Sequence, residues 1–501
     1  MRLLVLVLTF GLLIRLVLIY PNNIILGFDQ ARDLFASRRI FTEGDLRVVG
    51  PTAGNNAALH HGVAFLYFII PPLVLGGGNP FWVSLWISLF NLSSAFILYL
   101  FARSLFKSER AGLIAALLAT VSYYFVQFSG WISNPSPTLL TVPLAFYGLW
   151  EYKTGKKWAL PLSLFSLGLS IQFELFFLYL IPVFVILWAL LKPKFPKGRL
   201  LVFSLSALAI SLSSMIATEI KFRFSGVLSL LSDLTRESGP KPPFLLSFKE
   251  FIDRYFETFS QNLFPTNKSV GVFIGLILIG YLIYVLLKSK KGQNSNFIFL
   301  FGYLLSPFTM LVLGFHAAPW VLIGLSPAIV LLASLLLSRL KPQLIIVALL
   351  IITTSNFTSL KESLGKGQPL LSPDTSAIVS RQLMAIDYTY QRAKKEAFGV
   401  NSVTNPLYVN AVWAWNYKWY GEKKYGFLPS FLGGDQEAPY ALLPKPTGQE
   451  KLFFVIEDTS PRIPEVHRIL AQEWAEEHAK FIEEKDFEGI SVSMWEVFKP
   501  F

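Results

Sequence analysis

The stretch HHGVAFLYFIIPPLVLGGG, residues 60–78, decides how the rest of the chain is arranged. Its apolar part, residues 63–76, is shorter than the roughly 20 residues that a membrane-spanning helix needs. It also contains Pro71-Pro72 and ends in three glycines. Whether this run crosses a bilayer determines the side of the membrane on which every later loop lies.

The composition of the chain is that of a membrane protein. Of its 501 residues, 53% are apolar and 15% are charged, and the mean hydropathy is +0.51. A soluble chain has about 25% charged residues. The sequence contains no cysteine, which excludes a disulfide scaffold, a cysteine nucleophile and a thiolate metal site. The abundance of apolar residues also excludes intrinsic disorder.

Eleven apolar runs predict membrane-spanning helices. They lie at residues 3–20, 81–102, 111–128, 137–152, 158–172, 175–191, 200–217, 270–287, 297–314, 318–338 and 342–357. We therefore expect a polytopic α-helical membrane protein with about eleven spans.

The positions of the basic residues predict the topology. Five short loops between these runs are basic, whereas the short loops near 129–136, 173–174 and 315–317 contain no lysine or arginine. The basic residues of the five loops are Arg103, Lys107, Arg110, Lys153, Lys156, Lys157, Lys192, Lys194, Lys197, Arg199, Lys288, Lys290, Lys291, Arg339 and Lys341. Cytoplasmic loops are enriched in basic residues. All five can be cytoplasmic only if residues 63–76 form a juxtamembrane or re-entrant helix on the outer side. The net charge of +12 is thus explained by topology, and a nucleic-acid partner is not predicted.

This topology divides the chain into two predicted domains. Residues 1–357 form a transmembrane domain with outer loops at 21–80 and 218–269, and residues 358–501 form a soluble extracytoplasmic domain. The first run is interrupted by Arg15 and no A-x-A cleavage site follows it, so it indicates a signal anchor. We predict a multi-pass protein of the plasma (inner) membrane with a cytoplasmic N-terminus.

The C-terminal domain is predicted to be a small α/β domain. Leu452–Ile456 and Ile490–Val497 have the pattern of strands, and residues 464–484 that of an amphipathic helix. The predicted apolar face of this helix contains Val466, Ile469, Leu470, Trp474, His478 and Phe481. Residues 413–420, within the stretch AVWAWNYKWYG at 411–421, are rich in aromatic residues. We interpret them as part of a domain core or of a membrane-docking face, rather than as a surface on which sugar rings stack.

The first outer loop contains the candidate catalytic residues. In GFDQARDLFASRRIFTEGD, residues 27–45, a helix over 29–42 would place Asp29 and Asp33 on one face. Two close carboxylates can raise one pKa and create a base, or bind a divalent cation. The alternative is a solvated amphipathic helix whose acidic residues are favoured by the helix dipole.

Other polar residues lie on the same predicted side of the membrane. His60 and His61 open the predicted juxtamembrane helix and could bind phosphate, ligate a metal or shuttle a proton; the alternative is an interfacial anchor. Asn134, Gln172 and Glu174 lie at the outer ends of predicted spans. Such one-sided placement favours outward-facing chemistry, with a donor delivered by the membrane, such as a polyprenyl-phosphate-linked sugar.

These motifs, in this order, resemble those of the GT-C glycosyltransferases, such as the dolichyl-phosphate-mannose protein mannosyltransferases and the lipid A aminoarabinose transferase. GFDQARD resembles the acidic motif after the first span, and HHGVAFLYF resembles the segment of the type HGPLYYY, with Val63 in place of proline. WISNPSPT keeps the Asn-Pro part of a WNP signature at Asn134. SIQFE resembles a Q-x-H signature, but has Glu174 where His is common, which puts a His-based metal site there in doubt.

The resemblance implies transfer of a sugar from a polyprenyl-phosphate carrier to a protein, lipid or glycan acceptor, with inversion. It implies Asp29 as the base and Asp33 as an orienting group. Arg32, His60, His61, Asn134, Gln172 and Glu174 are then candidates for binding the donor phosphate or substrate. A divalent cation is a possible cofactor, with Asp29, Asp33 and His61 as candidate ligands. Lys221, Arg223 and Arg236 in the later outer loop are weaker candidates for contacting the donor.

Three alternatives stay open from the sequence. A transporter or flippase of lipid-linked saccharides would share the membrane domain, although its paired charges are expected near the middle of the bilayer. A polysaccharide polymerase or ligase would be expected to carry basic residues in a large late outer loop. A non-catalytic membrane scaffold would tolerate substitution of Asp29, His61 and Glu174 together.

Overall fold

The computed structural model of the protein describes residues 2–53, 56–235, 244–289, 294–312, 319–372, 374–394, 396–433, 436 and 440–498. Arg236, Lys290 and Lys291, which contribute to the predictions above, lie outside these residues, as does the short loop 315–317. The described chain is mostly helical, with several apolar helices, as predicted.

The N-terminal part contains the first apolar helix and the elements of the first outer loop. In chain order these are α1 (Arg2–Ile19), α2 (Phe28–Glu43), β1 (Thr52–Ala53), β2 (Asn56–His60), α3 (Ala64–Phe68) and α4 (Ile70–Leu75). The run at 63–76, predicted as one juxtamembrane helix, is two short helices that are separated at Ile69. Pro71 and Pro72 lie in the first turn of α4, where a missing backbone N–H costs little.

Apolar helices follow as far as residue 221, and some are bent. They are α5 (Pro80–Phe106), α6 (Glu109–Val121), α7 (Tyr123–Ser129), α8 (Thr138–Lys153), α9 (Ala159–Phe173), a 3₁₀ turn (Leu175–Tyr179), α10 (Leu180–Leu191), α11 (Arg199–Ser211) and α12 (Ser213–Lys221). The pair α6 and α7 is bent by 58°, and the pair α11 and α12 by 64°.

The predicted outer loop at 218–269 is largely helical. The elements from there on are α13 (Ser225–Thr235), α14 (Phe244–Leu263), α15 (Lys268–Lys288), α16 (Ser295–Leu305), α17 (Phe308–Val312), a 3₁₀ turn (Leu322–Leu325), α18 (Ser326–Leu337) and α19 (Pro342–Glu362). Phe251, Tyr255 and Phe259 of α14 are buried. The apolar residues of α14 recur every three to four positions and form a packed face.

Each of the eleven predicted apolar runs is mainly helical over the residues that the structure describes. Four of the described helices have the length and composition of a membrane span, namely α1, α5, α15 and α19. Each bent pair adds a candidate, which gives up to six, and shorter apolar helices lie at Ala159–Phe173, Leu175–Leu191, Ser295–Leu305 and Leu322–Leu337. The total of eleven spans stays a prediction.

The last part of the chain is α/β. It contains a 3₁₀ turn (Thr375–Ala377), α20 (Val379–Ala393), β3 (Phe398–Val403), α21 (Ala411–Asn416), a π-helical turn (Tyr417–Gly421), α22 (Glu422–Tyr425), β4 (Ser430–Phe431), β5 (Leu452–Asp458), α23 (Glu465–His478), β6 (Ala479–Asp486) and β7 (Ile490–Val497). The strands form one sheet in the order β4-β3-β5-β7-β6. β3 pairs in parallel with β4 and β5, whereas β7 pairs antiparallel with β5 and β6.

The predicted strands at 452–456 and 490–497 are present, but the predicted helix at 464–484 is wrong after His478. Residues 479–486 form β6, in which Phe481 pairs with Trp495 of β7. The predicted apolar face is right only for Trp474, which packs on Phe453 together with the small residues Ala471 and Ala475. Val466, Ile469 and Leu470 are about half exposed. The spacing of three to four positions between apolar residues extends to Phe481 of the edge strand β6, which is why the predicted helix was too long.

The chain folds into two compact units. Unit 1 contains residues 1–17, 46–65 and 87–362, and unit 2 contains residues 18–45, 66–86 and 363–501. The composition placed a boundary near 357, close to the start of the last segment of unit 2, but it gave no sign that residues 18–45 and 66–86 group with the C-terminal residues. The backbone of Ile25 forms a β-bridge with Ile378 within unit 2.

Candidate active site

Helix α2 of unit 2 carries the first group of candidate residues. It begins after Gly27, whose backbone N–H donates to Gln30 Oε1 at 3.0 Å, and it ends at Gly44, which has a φ of 68°. Asp29 lies in the first turn, close to the partial positive charge of the helix N-terminus. The helix predicted over 29–42 is therefore confirmed.

Arg32 connects the two carboxylates of this helix. Its Nη1 donates to Asp29 Oδ1 at 2.7 Å, and its Nε donates to Asp33 Oδ1 at 2.9 Å. The Asp29 side chain is 67% exposed, whereas that of Asp33 is 4% exposed. The two acids that share a face in the sequence thus differ in surroundings: Asp29 is open to a reactant, and Asp33 is a buried partner of the guanidinium.

Burial raises the pKa of Asp33 to about 6, although the charge and hydrogen bond of Arg32 oppose this shift. Ser37, one turn further along, anchors this part of α2. Its Oγ lies 2.8 Å from the carbonyl oxygens of both Asp33 and Leu66. Ala36 and Ile40 pack on Leu66, so α2 is held against the start of the following juxtamembrane segment by both polar and apolar contacts.

A second group of candidates meets in unit 1, although its members are far apart in sequence. Asn134 Nδ2 donates to the Phe173 carbonyl oxygen at 2.8 Å and to Glu174 Oε2 at 3.3 Å. His61 Nδ1 lies 3.5 Å from Glu174 Oε1 and accepts from the Leu175 backbone N–H at 3.3 Å. The structure therefore brings His61, Asn134 and Glu174 together at the short connection between α9 and the following 3₁₀ turn.

Gln172 forms hydrogen bonds that fix the backbone next to this group. Its carbonyl oxygen accepts from the Gly62 N–H at 3.0 Å, and its side-chain amide pairs with the Ser214 hydroxyl at 2.9 Å. A Cβ on Gly62 would lie 1.7 Å from Gln172 Oε1. Gly62 and Ser214 are contributors that were not proposed as site residues. Gly62 belongs to the motif HHGVAFLYF, whereas nothing in the sequence pointed to Ser214.

The carboxyl group of Glu174 is buried, with a side chain that is 3% exposed. Burial raises its pKa to about 8, and the hydrogen bonds from the Phe176 backbone and Asn134 only partly oppose this shift. Glu174 is accordingly protonated to a large extent at neutral pH. A protonated carboxyl beside an imidazole nitrogen can exchange a proton with it.

His60 takes a different position from the one predicted. It ends β2 rather than opening a helix, and its Nδ1 donates to the Gly50 carbonyl oxygen at 3.0 Å. Its ring stacks on Phe222, with centroids 5.7 Å apart. Consecutive side chains on an extended strand point to opposite faces, so His60 and His61 make separate contacts, and only His61 joins the group around Glu174.

Arg15, which interrupts the first apolar run, makes its contacts in the interior of unit 1. The residue is 2% exposed. Its Nε donates to Ser129 Oγ at 3.0 Å, and its Nη1 donates to the carbonyl oxygens of Gly11 and Thr120. Arg15 is a structural link between α1 and the pair α6 and α7.

The weaker candidates Lys221 and Arg223 are exposed at the end of α12. In the aromatic run of unit 2, Trp413, Trp415 and Tyr417 are buried, which agrees with a domain core, whereas Trp419 and Tyr420 are only half-buried. Trp415 Nε1 donates to the Gly78 carbonyl oxygen at 3.2 Å. This run therefore joins the C-terminal residues of unit 2 to the glycine turn after α4.

The candidate metal ligands do not fit a cation site. Within the described ranges, no group of three or more His, Asp or Glu side chains is arranged to hold a metal ion. The guanidinium of Arg32 already contacts both Asp29 and Asp33, and a cation bound between these carboxylates would have to displace it.

Comparisons with known proteins agree with this architecture. The family described as Dolichyl-phosphate-mannose-protein mannosyltransferase matches residues 60–217. No curated protein sequence matches the chain. The matched segment contains His60, His61, Asn134, Gln172 and Glu174, and it begins after Asp29, Arg32 and Asp33.

Solved structures show the same fold at low sequence identity. ArnT from Cupriavidus metallidurans, bound to undecaprenyl phosphate, is 12% identical, with a TM-score of 0.63 over 98% of this chain and 97% of that one. Its apo form gives a TM-score of 0.60 with the same coverage. The arabinofuranosyltransferase AftD from Mycobacteria is 13% identical, with a TM-score of 0.52 over 99% of this chain and 40% of that one. The chain therefore shares the fold of the ArnT structure over nearly the whole length of both chains.

Proposed function

We propose that this protein transfers a sugar from a polyprenyl-phosphate-linked donor to an acceptor on the outer side of the membrane, with inversion at the anomeric carbon. The support is the arrangement on α2, where the exposed Asp29 is held by Arg32 and the guanidinium is held in turn by the buried Asp33. The family that matches residues 60–217 and the lipid-phosphate complex of the similar ArnT structure favour a lipid-linked donor.

Asp29 acts as the general base in this proposal. As a hydroxyl or amine of the acceptor attacks the anomeric carbon, Asp29 takes its proton, and the bond from that carbon to the phosphate oxygen breaks. The electron pair of that bond leaves with polyprenyl phosphate. A single displacement of this kind inverts the configuration, and a positioned base contributes roughly 10²- to 10⁴-fold to the rate.

Arg32 has two roles in this proposal. Its contact to Asp29 holds the carboxylate in one orientation, and its contact to Asp33 keeps the guanidinium in place. A guanidinium carries five N–H donors, and its Nε and Nη1 contact these two carboxylates. Its third nitrogen, Nη2, is suited to the negative charge that develops on the leaving phosphate.

The group around Glu174 is proposed as a substrate-binding group. Its carboxyl, with a pKa of about 8, presents a hydrogen-bond donor together with His61, and Asn134 supplies an amide. Such neutral donors and acceptors suit the hydroxyl groups of a sugar or a phosphate oxygen, and they avoid the repulsion that an ionised carboxylate would exert on a phosphate.

The test is a transfer assay with the full chain in vesicles. A panel of polyprenyl-phosphate sugars is supplied, and release of polyprenyl phosphate is measured for the wild type and for Asp29→Asn. The matched control is Glu43→Gln, because Glu43 is an exposed acid on the same helix that is paired with Arg39. We expect Asp29→Asn to lower turnover by about 10²- to 10⁴-fold and Glu43→Gln to retain it.

Two results would contradict the proposal. Equal turnover by Asp29→Asn and Glu43→Gln would remove Asp29 as the base while leaving the glycosyltransferase activity in place. Absence of turnover with every donor, together with movement of the lipid-linked saccharide across the bilayer, would replace the enzyme by a transporter.

A further inference from the structure

Unit 2 contains a cavity that is separate from the carboxylates of α2. It has a volume of about 300 Å³ and lies among α2, α4 with its glycine turn, and the aromatic run; its lining includes Arg38, Phe41, Lys418, Trp419 and Lys423. Arg38 lies nine residues after Asp29, about two and a half helical turns. It therefore lies on the opposite side of α2 from Asp29, and the catalytic proposal does not use this cavity.

The charge of the cavity lining is positive. Arg38, Lys418 and Lys423 are basic and Glu422 is acidic, so the lining carries a surplus of two positive charges. Lys418 Nζ lies 2.8 Å from Glu422 Oε2, and Lys423 Nζ donates to the Gly77 carbonyl oxygen at 2.6 Å. These contacts hold the two lysines at the rim, beside the half-buried Arg38.

The glycine turn allows the basic residues to approach closely. Gly77 has a φ of +59°, and a Cβ there would lie 2.7 Å from Lys423 Nζ. A Cβ on Gly78 would lie 3.1 Å from the Trp419 Cβ. The glycines at 76–78 end α4, and Gly77 and Gly78 also leave room for Lys423 and Trp419 of the cavity lining.

Several apolar side chains close to these charges are exposed to solvent. Leu75, in the last turn of α4, is 89% exposed, and Phe41 in the lining is 60% exposed. Val74, also in the lining, is 39% exposed. Exposure of a large apolar side chain to water is unfavourable, and tryptophan is enriched where a protein meets the membrane surface. A ligand that covers this region must be apolar at one end and negatively charged at the other.

We propose that this cavity binds the phosphate headgroup of an anionic membrane phospholipid, with the acyl chains lying on Leu75 and Phe41. Basic clusters at a membrane surface attract anionic lipids, and arginine matches the geometry of a phosphate oxygen pair. A soluble phosphate would satisfy the charges but leave the apolar side chains exposed. The bound lipid would fasten α2 to the aromatic run within unit 2.

The experiment uses the full chain in phosphatidylcholine vesicles that contain one tenth phosphatidylglycerol. The lipids retained after extraction are measured by native mass spectrometry. The test variant is Arg38→Gln with Lys418→Gln, and the matched control is Arg462→Gln with Lys480→Gln, an exposed Arg and Lys of unit 2 outside the cavity. We expect the test variant to retain at most about one tenth of the phosphatidylglycerol that the wild type retains. The control should retain as much as the wild type.

Further arms identify the ligand. Arg38→Lys keeps a positive charge and should restore retention, which also shows that the loss does not come from misfolding. Equal retention by the test and control variants would overturn the proposal. Displacement of the lipid by inorganic phosphate would overturn it too, because the site would then recognise only the anion. Loss confined to vesicles with undecaprenyl phosphate would assign the cavity to the donor instead. No arm contains a sugar donor, so the outcome is independent of the catalytic proposal.

Discussion

The carboxylates of Asp29 and Glu174 lie in two different chemical settings. Asp29 is two-thirds exposed, stands at the N-terminus of an amphipathic helix and is paired with Arg32. Glu174 is buried beside His61 and Asn134, between two apolar helices. Burial raises the pKa of Glu174 and favours its protonated form, whereas the Asp29 side chain is open to solvent beside a guanidinium.

The difference assigns separate chemical roles to the two groups. An exposed carboxylate can reach a reactant and accept its proton. A buried carboxyl that holds its own proton can donate a hydrogen bond without introducing negative charge, as binding of a phosphate requires. Substitutions in each group test whether this division is real.

The largest effect is expected at Gly62, which supports the buried group. Gly62→Ala would place a Cβ 1.7 Å from Gln172 Oε1 and 2.7 Å from the Gln172 carbonyl oxygen. We expect a loss of stability of about 3 kcal/mol or more, as for severe overpacking, measured by thermal unfolding in detergent. The matched control is Gly280→Ala in α15, where no atom lies within 4 Å of the added Cβ; an equal loss there would contradict the packing argument.

The next effect concerns the ion pair on α2. Asp33→Ala removes one of the two carboxylates that contact the half-buried Arg32 and leaves only Asp29 of this pair. We expect a loss of about 2–4 kcal/mol of folding stability, because an ion pair with a buried carboxylate is broken. Turnover should fall as well, because the orientation of Asp29 depends on Arg32. Asp33→Asn keeps a hydrogen-bond acceptor and should recover part of both. Full stability of Asp33→Ala would show that the pair has no positioning role.

The pH dependence of stability separates the two groups further. The pKa of Glu174 is about 8 in the folded protein and near its ordinary value of 4.5 when unfolded. The folded state therefore binds more protons over this range, so its stability falls as the pH rises from about 5 to 8, by an amount on the order of a few kcal/mol. Glu174→Gln, which cannot ionise, should flatten this decline in unfolding measurements. A wild-type stability that rises over this range would contradict the assignment.

The smallest effect is expected at the exposed end of α2. Glu43 pairs with Arg39 at 2.9 Å, with side chains 55% and 31% exposed. Exposed pairs four residues apart on a helix contribute about 0.3–0.5 kcal/mol. Glu43→Ala should change the melting temperature by less than Asp33→Ala does and should leave sugar transfer unchanged. A large effect would mean that this end of α2 is also part of the site.

The parts of the fold with local signals were predictable. The helix over 29–42, on which the pairing of Asp29 and Asp33 depended, is present, and each of the eleven apolar runs is mainly helical over its described residues. The helix at 464–484 was extended too far because residues 479–486 kept the same apolar spacing while pairing with β7. Pairing with a distant strand outweighed the local pattern.

The sequence by itself determined the class of protein, the order of its elements and the identity of its candidate acids, because apolar runs and charge asymmetry are local properties of the chain. Tertiary structure decided which candidates meet. His61, Asn134 and Glu174 converge through packing of helices far apart in sequence, whereas Arg15 and His60 are occupied with structural contacts. Burial raised the pKa of Glu174 and of Asp33, since the cost of an ionised carboxylate depends on surroundings that only the folded chain provides.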